Sequence, residues 1–152
     1  MTTREEREAT ATQVYLEQRD KERAARHNLS KIRVLVCGGR EYSNREALFK
    51  AMDGLDWEIC FLTVIHGACR GADTLAGEWA EHRERAVEDY PILAGEGGYA
   101  RNERMLRESK PDLVVHFPGG NGTRHMVRIA GEAGVPTHGG LAGPMYREPR
   151  LL

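Results

Sequence analysis

An α/β architecture, a three-layer sandwich of about five mostly parallel strands preceded by a polar N-terminal helix, is predicted by three features of the sequence. From Ile32 onward, short β-branched runs alternate with amphipathic stretches, the pattern that a parallel sheet with crossover helices produces. Three of the apolar runs end in glycine clusters that open helices, at Gly38-Gly39, at Gly67 to Gly71 and at Gly119 to Gly122. The chain has 152 residues, 40% of them hydrophobic, which suits one domain with a full core and is too short for two.

Residues 1–30 make the first predicted segment. Six basic side chains (Arg4, Arg7, Arg19, Lys21, Arg23, Arg26) balance six acidic ones up to His27, and Val14, Tyr15, Leu16 and a few alanines are the apolar content. This is a polar helix whose apolar stripe is too narrow for a core, hence a solvated extension or a surface for a second subunit. The domain proper spans 31–139. Its first strand covers 32–37. Ser43 and Glu46 read as a capping box, and Leu48, Met52 and Leu55 recur at helical spacing until Asp53-Gly54 loosens the turn. A second strand is expected over 59–65, then a helix with Leu75, Ala76, Trp79 and Ala80 on one face.

The run 87–93 is a weaker strand, placed near a sheet edge because Pro91 removes a ladder donor. Gly95, Gly97 and Gly98 form a loop, and a helix over 99–109 points Met105 and Leu106 inward before Lys110-Pro111 stops it. The run 113–117 suits a buried strand. Met126, Ile129, Ala130 and Ala133 mark the last helix, 134–137 a final short strand, and 140–152 a surface arm without periodicity.

Charge and composition exclude several classes. Lys and Arg total 22 against 23 Asp and Glu, so no bulk attraction draws the chain to duplex DNA or anionic lipid. No run nears the ~18 apolar residues of a membrane span, and the charged start MTTREEREAT lacks a signal peptide's apolar core, so a cytoplasmic protein is expected. Cys37, Cys60 and Cys69 are an odd number with no CxxC pair and are expected to stay reduced.

The glycine turns direct attention to one place. In an open parallel sheet all carboxyl ends share an edge, so the loops after the first, second and fourth strands converge on a crevice. Each helix start offers unpaired N–H groups and a positive dipole end, which favours an anionic ligand, most simply a nucleoside phosphate ester. GxxxxGK[ST] and a GxGxxG after the first strand are both missing, so neither a Walker-type NTPase nor standard dinucleotide binding is indicated.

Four ordered motifs carry a resemblance. Pro118-Gly119-Gly120-Asn121-Gly122-Thr123 resembles the PGGxGT signature of the SLOG superfamily, Rossmann-like proteins that include the Lonely Guy phosphoribohydrolases, DprA and sensor domains of bacterial and phage conflict systems. Cys37-Gly38-Gly39-Arg40, the turn from His66 to Asp73, and Arg101-Asn102-Glu103-Arg104-Met105 are similar to the YspA-like branch. The phosphoribohydrolase signature continues as PGGxGTxxE, with a glutamate that promotes N-glycosidic cleavage and an arginine on the preceding helix. Met126 stands at the glutamate's position, and a thioether neither holds a proton nor stabilises an oxocarbenium ion. The arginine is kept at Arg101, where it is expected to clamp a phosphate.

The expected ligand-binding residues are Gly38, Gly39, Arg40, His66, Gly67, Arg70, Gly71, Asp73, Arg101, Asn102, Gly119, Gly120, Asn121, Gly122 and Thr123, with Arg101 catalytic only in an enzyme. Asp73 and Thr123 are equally readable as helix caps. His66, Cys69 and Cys37 lie at strand ends without paired metal spacing, His116 reads as a core histidine, and His125 and His138 as surface; no metal and no cofactor are expected. The leading function is binding of a nucleotide or nucleotide-derived signal, ADP-ribose-like or cyclic, by a sensor or sequestering module. The alternatives are a nucleoside 5'-monophosphate phosphoribohydrolase, or a related N-glycosidic hydrolase using Asp73 or Glu103 in place of the lost carboxylate, and DprA-like binding of single-stranded DNA, which low aromatic content and neutral charge disfavour. The expected partners are that small molecule and a second copy of the chain.

Overall fold

The computed structural model describes residues 3–29, 32–59 and 62–142. Cys60 and the arm beyond Ala142 lie outside the described residues. Five helices and five strands follow in the order α1 (Arg4–Leu29), β1 (Arg33–Cys37), α2 (Arg45–Ile59), β2 (Thr63–His66), α3 (Ala72–His82), β3 (Val87–Asp89), α4 (Gly98–Ser109), β4 (Leu113–His116), α5 (Asn121–Glu132) and β5 (Thr137–Gly139). The strands form one parallel sheet in the order β3-β2-β1-β4-β5. Connections run outward from β1 in one direction through β2 and β3, and in the other through β4 and β5. The strand order therefore reverses between β1 and β4, which is where ligands of open α/β sheets bind.

A parallel central strand is buried on both faces, and β1 obeys this from Val34 to Cys37. Alternate residues feed two cores. Val34 and Val36, with Val64, Leu113, Val115 and Phe117, pack on Leu48, Met52 and Leu55 of α2 and on Ala76, Trp79 and Ala80 of α3. Leu35 and Cys37, with Ile65 and Val114, pack on Met105 of α4 and on Met126 and Ala130 of α5. The three layers are thus α2 and α3, the sheet, and α4 and α5.

Several boundaries differ from the sequence expectation, each for a local reason. Asn44, not Ser43, caps α2: its Oδ1 accepts from the Ala47 N–H at 3.1 Å. The helix runs through Gly54 to Ile59, because Asp53 is tied down by Trp79 Nε1 at 2.9 Å and by Arg83 through two bonds at 2.8 and 2.9 Å. Ile59 therefore belongs to α2, and β2 begins at Thr63. The edge position of the third strand holds, though it shortens to Val87–Asp89. The last strand sits later than expected, at Thr137–Gly139.

Helix α1 is exposed over all its described side chains, including Val14, Tyr15 and Leu16. Among the described residues no helix is long and apolar enough to cross a membrane.

The loops after β1, β2 and β4 interlock through backbone alone. Gly39 donates its N–H to Pro118 O at 2.9 Å, and its carbonyl accepts from Tyr42 at 3.1 Å and Ala72 at 3.2 Å. This geometry requires Gly71 in the left-handed region at φ 81°, where an added Cβ would lie 2.2 Å from Gly39 O. Gly71→Ala is expected to destabilise by about 3 kcal/mol, lowering Tm by roughly 6–12 °C. Gly95→Ala, also at positive φ but with open space around its Cβ, should lose only the backbone strain of about 1 kcal/mol. Paired thermal melts check the difference; equal losses would mean that the loop contact contributes nothing.

Candidate functional site

A cleft of about 390 Å³ opens at the carboxyl edge, at the point where strand order reverses. Its wall brings together Gly38, Gly39, Arg40, Asp73, Arg101, Asn102, Gly120, Asn121, Gly122 and Thr123, all singled out from the sequence. It also includes Cys37, Cys69, Gly98, Tyr99 and Met105. His66, Gly67, Gly71 and Gly119, also expected at the site, do not line the cleft but adjoin residues that do, and Arg70 does not line it either.

The three glycine turns do different work. The first amide of α3 is already used, since the Ala72 N–H donates to Gly39 O. By contrast α5 begins at Gly120 with no side-chain cap, and Gly120, Asn121 and Gly122 are exposed, with open space where a Cβ would stand on either glycine. Helix α4 likewise starts behind Gly97 without a side-chain cap, and Gly98 lines the same cleft. The positive pole available to a ligand is therefore that of α5, seconded by α4. Gly119 serves packing: a Cβ there would meet Thr123 Oγ1 at 2.2 Å and Gly39 N at 2.6 Å. Thr123 does not cap α5, being three residues past Gly120.

A chain of buried polar groups runs from this wall into the protein. The Arg101 guanidinium donates to Gly67 O, to Tyr90 O at 3.3 Å and to the Cys69 sulfur at 3.6 Å. The phosphate clamp expected at Arg101 is thus engaged in holding the β2–α3 loop. Arg101 Nε also donates to Asn102 Oδ1 at 3.2 Å, which orients the amide so that Nδ2 faces Gly122 O at 3.1 Å and His125 Nδ1 at 3.2 Å. Since Nδ1 must accept, the neutral imidazole carries its proton on Nε2. His125, expected on the surface, is buried, and its ring stacks on Tyr99 at a centroid distance of 4.4 Å and 18° between planes. Sequence reading missed both rings, because their partners lie 23 and 26 residues apart in the chain and meet only once α4 and α5 pack.

The second turn is held from within. Asp73 is buried and accepts from the Cys69 N–H at 3.2 Å, while Thr74 Oγ1 donates to Cys69 O at 2.8 Å. Asp73 therefore braces the loop instead of capping its helix. Burial raises its carboxyl above the usual range, against the lowering effect of the Cys69 N–H and of the His66 and Arg101 charges. His66 Nδ1 accepts from the Ala68 N–H at 3.0 Å, and Ala68 takes up a left-handed φ of 57°. Burial, with Asp73's charge added, pushes the Cys37 thiol up to about 12, so it is a neutral packing group. Arg70 points away, paired with Glu41 at 2.5 Å on the surface. Arg40 is exposed on the cleft wall and forms no ion pair among the described residues.

With the geometry in place, comparison with known proteins assigns the chain. Residues 32–92 match the family described as YspA, cpYpsA-related SLOG. The chain is 35% identical over 116 residues to Gene 61 protein of Mycobacterium phage D29, spanning 68% of this chain and 92% of that protein. The chain belongs to the YspA-related SLOG family. Among solved structures, the crystal structure of TM1055 shares the fold with a TM-score of 0.59 at 19% identity, over 70% of this chain and 72% of that one. DNA processing protein A of Streptococcus pneumoniae overlaps more loosely, at a TM-score of 0.43 and 18% identity over 80% and 64% of the two chains.

Within the SLOG family, position 126 is where the phosphoribohydrolase branch carries its glutamate. Here Met126 is wholly buried against Leu35, Ile65 and Met105, facing the core and not the cleft. Glu103, the other stand-in carboxylate considered, is 61% exposed with Oε1 4.0 Å from His125 Nε2, and it does not line the cleft.

Stability should respond to pH through the histidines. Burial holds His66 below the ordinary histidine value, and His116 also, with His138 adding repulsion. The stability that their neutral forms confer is complete above the unfolded value of about 6.5 and is lost as pH falls through their lower folded values. Asp73, raised by burial, acts in the opposite sense, so wild type alone does not isolate His66. His66→Asn keeps an acceptor for Ala68 and cannot titrate. Melting curves from pH 7 to 5 are expected to show a larger fall in Tm for wild type than for this variant; equal falls would exclude His66 as the titrating group.

Proposed function

We propose that this protein binds a nucleotide or nucleotide-derived signal, ADP-ribose-like or cyclic, by its phosphate at the cleft, as a sensor or sequestering module. The observation that carries the reading is the uncapped, glycine-bared start of α5 sharing a wall with the exposed, unpaired guanidinium of Arg40. Backbone N–H groups and a helix dipole converge on the cleft, and an arginine fork adds bidentate contacts, a donor set matched to a phosphate. The PGGxGT resemblance supports a phosphate-binding role for the same loop.

Titration calorimetry with AMP, cyclic AMP, NAD and ADP-ribose is expected to give saturable binding tighter than millimolar for at least one of them. Gly120→Asp should weaken that binding at least about tenfold by placing a carboxylate in the anion's position. Because a Cβ at Gly120 meets nothing, the variant's Tm should stay within about 2 °C of wild type. Absence of binding to all four ligands, or an unaltered affinity in the variant, would reject the reading.

A second reading has one observation in its favour. Asp73 is a carboxylate on the cleft wall whose burial keeps it protonated beyond the usual range, the condition for a general acid. Release of free base from AMP or NAD, followed chromatographically, should fall at least about a hundredfold in Asp73→Asn if Asp73 drives N-glycosidic hydrolysis. No release by wild type at high protein concentration would remove this alternative.

A further inference from the structure

Tyr99 lines the cleft and is 54% exposed, an unusual position for an aromatic side chain that already has a stacking partner. One of its faces lies on the His125 imidazole, 4.4 Å away and nearly parallel. That imidazole is itself immobilised, because Asn102 fixes Nδ1 while Arg101 fixes Asn102. The tyrosine is therefore backed by a buried, hydrogen-bonded support, and the ring is held ready before any ligand arrives.

We infer that Tyr99 is the platform on which the ligand's base stacks, so that the site selects phosphates carrying an aromatic base over those with sugar alone. The inference rests on the phosphate-binding reading above. Its geometry agrees with that reading: His125, the support beneath the ring, lies about one turn along α5 from Asn121 of the phosphate loop, about 6 Å of helix rise. Asn102 ties the two together, since one amide nitrogen holds both Gly122 O of the phosphate loop and the His125 ring. Stacking tolerates any base, because each presents a π-face.

Affinities for AMP and for ribose 5-phosphate, measured by calorimetry on wild type, Tyr99→Phe and Tyr99→Ala, test the inference. Wild type should prefer AMP by roughly ten- to a hundredfold, the usual value of one base stack. Tyr99→Phe should keep that preference, and Tyr99→Ala should bring the ratio close to one. If wild type binds both ligands equally, or if Tyr99→Ala retains the preference, the platform is overturned and phosphate binding stands. If wild type binds neither ligand, the platform is overturned, while the phosphate reading stands or falls with the four-ligand titration above.

Discussion

The peptide unit of Gly39 is the joint on which the carboxyl edge depends. Its N–H is bound to the loop after β4, and its carbonyl receives the first amide of α3 as well as its own turn at Tyr42. Three loops far apart in sequence are thereby fixed to one another without a side chain intervening. A residue larger than glycine at 38, 39, 71 or 119 would place its Cβ within 3.0 Å of an atom in a facing loop, or against Ala72. The glycines at these positions serve close approach of backbone to backbone. Those at 120 and 122, with open space around them, leave the approach to something outside the chain.

That division decides which helix can receive an anion. Amide groups at a helix start attract negative charge only while they lack an internal acceptor. Gly39 O has removed one from α3, whereas α5 keeps its own behind Gly120. The same face of the sheet carries α4, whose Arg101 is buried and bonded to the carbonyls of Gly67 and Tyr90. A buried guanidinium needs such acceptors, because leaving its donors unpaired is more costly than any surface ion pair is worth. Arg101 thus links the β2 loop to Asn102, and Asn102 links it to the α5 loop, through one run of hydrogen bonds.

The sheet and its order of elements were legible because a strand buried on both faces must be a continuous apolar run, as 34–37 and 113–115 are. Glycine turns at their ends located the crevice for the same reason, since topology alone brings them together. What sequence could not show is the destination of polar side chains. Gly54 looked like a helix stop, yet Asp53 is held by Trp79 and Arg83 from another helix, and tertiary contact overrides local propensity. Arg101 looked like a phosphate clamp because its acceptors are backbone carbonyls, which leave no trace in residue identity. His125 gave no signal for a similar reason: its neighbours Asn102 and Tyr99 are set by helix packing.

The chemistry that the cleft can support follows from which carboxylates reach it. The family's hydrolytic branch relies on a glutamate one turn into the last helix, and in this chain that turn directs Met126 into the core between Leu35 and Met105. Restoring a glutamate there would bury a charge among apolar side chains before it touched any ligand. Glu103 is solvated and outside the wall, which leaves Asp73. Yet Asp73 already accepts the Cys69 N–H that shapes the second turn, so moving its proton or its position during a reaction would loosen the loop that Arg101 also holds. A group that braces a site is poorly placed to change state within it. The glycine amides, Arg40 and the Tyr99 ring need not change state at all, and a wall built mainly from such groups is better fitted to holding a ligand than to cleaving it.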